Sequence, residues 1–224
     1  VSDGAPFLLA FNVSRIDGTT CESLAGAIVD IWHCDAAGVY SDATDPSFNT
    51  KGQKFLRGYQ VTDADGGCEF LTIYPGWYQG RTVHIHFKIR TELNASPSFE
   101  FTSQLFFDDS FTDQVYLKQP YLAKGIRSTR NNNDGIYQQG GSQLMLAVQP
   151  SGDGYAATFD IGLQGVPAIP TATATEGPRE TSTPTGLPSL TPTPTPEALV
   201  TETPTATGEP TKRHVYLPWA TTKR

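Results

Sequence analysis

Over residues 7–165 the apolar positions fall in short runs, often alternating with polar ones, and clusters of Gly, Asp, Asn and Pro separate the runs. β-Branched and aromatic residues repeating at a period of two between turn residues predict strands that turn one face inward. On this reading strands cover Phe7–Val13, Ala27–His33, Tyr59–Thr62, Phe70–Ile73, Val83–Ile89, Gln104–Phe107, Gln143–Val148 and Tyr155–Ile161. No segment keeps a 3.6-residue apolar period over the length of a helix, so helices are expected to be few and short. The stretches Ser41–Leu56 and Asp108–Gln139 are long for strand connections and predict loops on a sheet scaffold, where binding residues tend to gather. The expected fold class is all-β, and the expected architecture is a β-sandwich.

From Val166 onward the composition turns to Thr, Pro, Ala, Glu and Ser, with Thr-Pro-Thr-Pro-Thr-Pro at 191–196. Such a stretch buries too little apolar surface to offset its ordering entropy, and proline stiffens it into an extended spacer. The expected organisation is a folded domain over 1–165, a disordered Thr/Pro-rich linker over 166–213 and a short terminal segment over 214–224. That last segment carries the apolar run from His214 to Trp219. It is either a tether to a cell surface or another module, or a frayed end.

Sixteen Lys and Arg against 23 Asp and Glu give a formal net charge of -7, with no local basic patch, which argues against nucleic acid or an anionic membrane as partner. No apolar run approaches the roughly 20 residues needed to cross a bilayer. Met145 is the sole methionine, so the sequence is expected to be a processed form or a fragment, with any signal peptide removed or omitted. A Thr/Pro-rich stalk of this kind is a habit of secreted proteins, and a secreted or extracellular location is expected. Cys21, Cys34 and Cys68 suit one disulfide and one free thiol in an oxidising compartment, although spacing does not say which two pair, and none need do so. Sequons at Asn12 and Asn94 matter where the source glycosylates asparagine.

The chemistry concentrates in Pro75-Gly-Trp-Tyr-Gln-Gly-Arg-Thr-Val-His-Ile-His-Phe87. Alternate residues of a strand share a face, so His84 and His86 project together while Ile85 points the other way, and two imidazoles on one face make half of a metal site. Tyr78 sits six residues before His84, in a Pro-Gly turn able to fold its phenol back towards the pair. A second phenol, Tyr40, follows a predicted strand and a turn at Gly38. His33 reads as a hydrogen-bonded framework residue, Trp32, Trp77, Phe70 and Phe87 as packing, and Asp63-Ala-Asp-Gly66 as a connecting turn that lacks the rest of a calcium loop.

The segments Ala27–Ser41, Arg57–Thr72 and Ile73–Phe87, with their ordered G-x-Y, P-x-x-Y and R-x-x-H-x-H, resemble the intradiol ring-cleavage dioxygenases, the family of protocatechuate 3,4-dioxygenase and catechol 1,2-dioxygenase. The likeness spans about residues 1–165 and leans towards the compact, secreted branch. It implies a β-sandwich holding one iron(III) per chain through Tyr40, Tyr78, His84 and His86. Tyr40 resembles the phenolate that stays bound, and Tyr78 the one that leaves when substrate arrives. Arg81 resembles the arginine that stabilises the carbanion-like ring, and Gln104 a supporting glutamine behind the ligands. The implied reaction is cleavage of a catechol-type aromatic diol with O2 to a muconate-type diacid. Family members carry a further N-terminal stretch that walls the pocket, which leaves the choice of catechol open and the assembly as monomer or homodimer. Two other readings stand beside this one: a non-catalytic secreted β-sandwich binding module, and the same ligands holding a different metal such as zinc.

Overall fold

A computed structural model describes residues 3–91 and 98–167. The strands are β1 (Pro6–Asp17), β2 (Thr20–Ser23), β3 (Ile28–Trp32), β4 (Thr44–Asp45), β5 (Phe48–Asn49), β6 (Arg57–Val61), β7 (Gly67–Ile73), β8 (His84–Arg90), β9 (Glu100–Phe106), β10 (Gln149–Ser151) and β11 (Gly154–Gln164). A single seven-residue α-helix, α1 (Asp109–Val115), and short 3-10 turns complete the described residues. Short, sparse helices are what the missing 3.6-residue period predicts.

Two sheets form the sandwich. In the first, the long β1 pairs in parallel with β11 along one edge, from Phe7↔Tyr155 to Ile16↔Gln164. Its other edge is shared, with β7 antiparallel to its first half and β2 to its second, while β10 extends the sheet beyond β11. The second sheet runs β6-β3-β8-β9, all antiparallel. Alternation along β1 buries Phe7, Leu9, Phe11 and Val13, and alternation along β8 buries Ile85, Phe87 and Ile89. These rows meet between the sheets, where the Phe11 ring lies 5.6 Å from Phe87 and 6.1 Å from Phe159. Apolar burial of this kind, about 25 cal/mol per Å², is the main force holding the sheets together.

The structure departs from the predicted strands at Gln143–Val148. Gly140, at φ 114°, opens a 3-10 turn over Gly141–Leu144, and the chain then touches β9 through one bridge, Phe106↔Met145. Leu144, Leu146 and Val148 are buried in alternation, so the period of two records burial, but β9 ends at Phe106 and leaves no ladder to join. The expected loop Ser41–Leu56 contains the β4-β5 hairpin, and Asp108–Gln139 contains α1 with three of the 3-10 turns.

All three cysteines are free, so of the outcomes the sequence left open the one in which none pair is found. Cys21 and Cys68 both lie beside β1, opposite Ile16 and Phe11. Five residues along a strand is roughly 16 Å, well past the reach of a disulfide. The linker and terminal segment beyond Pro167, and the Asn94 sequon, lie outside the described residues. Asn12 is described, and its amide donates to Asp160 at 2.6 Å.

Candidate metal centre

The alternation that buries Ile85 and Phe87 turns His84 and His86 to the outer face of the second sheet. A cross-strand row on that face reads Arg57, Trp32, His86, Gln104, one residue from each strand, and His84 stands opposite Phe106 in the next row. The Trp32 indole stacks on the His86 ring at 4.9 Å with 3° between planes, so this residue packs against a candidate ligand rather than into the core. His84 Nδ1 lies 2.6 Å from the Thr82 carbonyl. A carbonyl only accepts, so Nδ1 carries the proton and Nε2 presents its lone pair outward.

Two turns bring the phenols to this face. Asp35–Val39 closes through Asp35 N–H to the Val39 carbonyl and Val39 N–H to the Asp35 carboxylate. It packs back to back with Pro75–Gly76, where Gly76 N–H donates to the Asp35 carbonyl at 3.1 Å. A methyl on Gly38 would collide with the Trp77 carbonyl and the Lys124 ammonium, and one on Gly76 with the carbonyls of Asp35 and Ala36. The close approach therefore needs both glycines, and Gly38 also sits at φ 79°. From behind, the Tyr116 hydroxyl donates to the Pro75 carbonyl and the Tyr121 hydroxyl to the Tyr74 carbonyl. The Cys34 thiol donates to the Gly76 carbonyl, and its burial pushes its pKa up to about 12, so it is an inert packing group there.

Four donor atoms converge as a result. Tyr40 Oη and Tyr78 Oη each lie 3.3 Å from His84 Nε2, and His86 Nε2 lies 3.2 Å from it. Ligands about 2.1 Å from a shared ion, 90–109° apart, would be separated by about 3.0–3.4 Å, so the spacing fits one metal. Electrostatics fit as well. Burial pulls the His84 pKa down to about 4; burial, His84 and the charges of Arg81 and Arg57 take His86 to about 3. Both imidazoles are thus neutral and ready to ligate. Burial raises both phenols above the ordinary tyrosine value, opposed at Tyr78 by the Arg81 guanidinium. A strongly charged cation able to displace the phenolic protons would suit a neutral, partly dry pocket of this kind. Among the described residues no group of three His, Cys, Asp or Glu side chains is gathered for a metal, and the third and fourth donors beside the His pair are phenols.

Arg81 and Gln104 adjoin the four candidate ligands, Gln104 across the ladder from His86 and Arg81 near enough for its charge to act on both phenols. Arg81 Nη2 donates to Gln104 Oε1 at 2.5 Å, and its Nε to Asp134 Oδ2 at 2.8 Å. Sequence reading missed Asp134. Its buried carboxylate also accepts from the backbone N–H groups of Thr82, Ile136 and Tyr137, at 2.7–2.9 Å. Burial pushes its pKa up, but those N–H groups and Arg81 outweigh burial and hold it below the usual carboxylate value. Asp134 thereby joins the far end of the long loop to the turn carrying Arg81. Its one sequence signal is a place in an Asn-rich turn, 53 residues from Arg81. His33 is the framework residue expected: its Nδ1 meets the Cys34 carbonyl and its Nε2 the Thr72 hydroxyl, both at 2.8 Å.

A β-sandwich bearing two tyrosines and two histidines on one outer sheet face defines a class of metal site. Comparison with known proteins agrees: the family model described as Dioxygenase (Dioxygenase_C) matches residues 3–165. The chain belongs to the intradiol dioxygenase family. A chlorocatechol 1,2-dioxygenase of Pseudomonas putida is 32% identical over 108 residues, 40% of this chain and 38% of that protein. The protocatechuate 3,4-dioxygenase beta chain of Burkholderia cepacia is 28% identical over 151 residues, 64% of this chain and 59% of that one. The matches thus span 38% and 59% of these curated relatives' own length, less than two thirds in each case. A solved intradiol ring-cleavage dioxygenase from Tetranychus urticae superposes with a TM-score of 0.65 at 29% identity, covering 75% of this chain and 85% of its own.

Proposed function

We propose that this protein is an iron(III)-dependent intradiol dioxygenase that cleaves catechol-type aromatic diols with O2 to muconate-type diacids, with one iron per chain held by Tyr40, Tyr78, His84 and His86. The convergence of two phenols and two neutral imidazoles, all within 3.3 Å of His84 Nε2 or at that atom itself, carries this reading. Phenolate is a hard anionic donor, so two of them favour the ferric over the ferrous state, and the imidazoles complete the site without adding charge. The relatives' names point the same way. A non-catalytic module would have no use for four convergent donors, and zinc would gain little from two phenolates.

Held there by Tyr40, Tyr78, His84 and His86, ferric iron would supply Lewis acidity to a bound diol. The protein's residues do the rest. Tyr78, the less deeply buried phenol, would give way to substrate, its freed phenolate taking one diol proton while a hydroxide takes the other. Tyr40 stays in place. Arg81, aimed by Asp134 and Gln104, holds a fixed positive charge beside the ring, where negative charge develops. Trp32 keeps the His86 ring plane fixed through its stacking. A secreted or extracellular setting, with the Thr/Pro-rich segment as tether, completes the proposal.

The full chain loaded with ferric iron is expected to be burgundy from phenolate-to-metal charge transfer and to consume O2 with catechol, protocatechuate or hydroxyquinol, releasing a diacid. A colourless ferric protein, or a semialdehyde product, would overturn the reading.

A further inference from the structure

The two phenols are held very unequally. Among the described residues no hydrogen bond reaches the Tyr78 peptide, whereas the Tyr40 carbonyl accepts from the Thr50 hydroxyl at 2.5 Å. The next residue, Ser41, is fully buried and gripped twice by one side chain: Arg57 Nε donates to its Oγ and Arg57 Nη2 to its carbonyl, each at 2.9 Å. This grip closes the stem of the 42–56 loop. At either end of that loop stand the only non-glycine residues with positive φ in the described chain, Asp42 and Leu56, both at 52°. Asp tolerates this conformation, but for leucine it stores strain that the surroundings must offset. Asp42 N–H reaches the Thr50 carbonyl, and His33 N–H the Leu56 carbonyl, so both strained joints are tied on. Arg57 itself stands at the end of the cross-strand row that holds Trp32 and His86.

We infer that Arg57 is a positioning residue: acting through Ser41, it fixes Tyr40 as the permanent phenolate and leaves Tyr78 as the one free to swing. The guanidinium touches no donor atom, and its fork bridges β6 to the residue that follows the ligand. Lysine, with its donors on one compact ammonium, lacks the planar fork that meets both Ser41 oxygens in this arrangement. This inference rests on the ferric reading of the site.

The test separates the two phenols. With Tyr78→Phe the charge-transfer band comes from Tyr40 alone, and with Tyr40→Phe from Tyr78 alone. Adding Arg57→Met to each, in the full chain, is expected to shift and weaken the Tyr40 band while leaving the Tyr78 band in place. In the otherwise native protein, Arg57→Met should weaken ferric affinity roughly tenfold or more, as loss of a group supporting a ligand does. Ser41→Ala, which removes one of the two acceptors, should act in the same direction more weakly, and it serves if the Arg57 variant does not fold. Lys54→Ala cuts the loop's exposed 2.6 Å bond to Asp42, away from Tyr40, and should leave affinity unchanged. Equal shifts of both bands, no shift of either, or an equal loss with Lys54→Ala would overturn the inference. A native protein that takes up ferric iron without colour would instead count against the proposed function.

Discussion

Asp134 and His33 show how single buried groups set the chemistry around the centre. Asp134→Asn keeps the shape but removes the charge that Arg81 and three backbone N–H groups point at. Breaking such a pair is expected to cost about 3 kcal/mol and, by freeing Arg81, to lower kcat more than KM; thermal melting and steady-state kinetics would show both. His33 is buried and neutral, its pKa lowered from 6.5 to about 4 by desolvation. A base with a depressed folded pKa contributes fully above pH 6.5 and loses that contribution as pH falls towards 4, on the order of 3 kcal/mol in all. Melting curves of His33→Gln should therefore decline less steeply than the native protein's over that interval, and parallel declines would refute the assignment. His84 and His86 were legible in the alternation of a strand, whereas Tyr40 and Tyr78 were singled out by the family resemblance, since neither spacing alone marks a phenol as a ligand. Asp134 was not legible, since the partners that tie it to the site, Arg81 and Thr82, are 53 and 52 residues away and no local period encodes such a contact.

At the level of elements, β8 divides its labour by alternation, with Ile85, Phe87 and Ile89 facing the core and His84 and His86 facing the proposed metal site. Phe87→Ala is expected to cost about 3–5 kcal/mol through the cavity it leaves, read as a lower denaturation midpoint with the m-value unchanged. The turns behave differently, because they are held by close backbone approach more than by apolar area. Gly76→Ala would push the Tyr78 turn off the Tyr40 turn, and the expected result is loss of ferric colour out of proportion to any fall in melting temperature. The strands with a strict period of two were predicted to within a few residues. The segment over Gln143–Val148 misled because burial alternates there with no partner strand to pair. The short β2 went unseen, since its four residues are all exposed and leave no apolar signature.

At the scale of the molecule the apolar core lies mainly between the sheets and the candidate metal face outside them, the two meeting where the Phe106 ring lies 6.3 Å from His84. Chelation is expected to bleach the protein and lower its melting temperature by the binding linkage alone, about 4 kcal/mol at a thousandfold excess over Kd, with the far-ultraviolet dichroism of the sheets intact. Loss of that dichroism would mean that the metal holds the sandwich together. All named site residues fall between Trp32 and Asp134, and among the described residues the core runs as far as Val166, so ending the chain after Pro167 should leave ferric affinity and melting temperature unchanged. The long parallel pairing of β1 with β11 has a different outcome, in time rather than in space. The longest strand of the domain waits for the last one, so during synthesis the edge of β1 stays unmatched until nearly 150 further residues have emerged. A topology so dominated by distant pairings folds on the millisecond-to-second scale, and nascent chains halted before Gly154 would expose a sticky template to their neighbours.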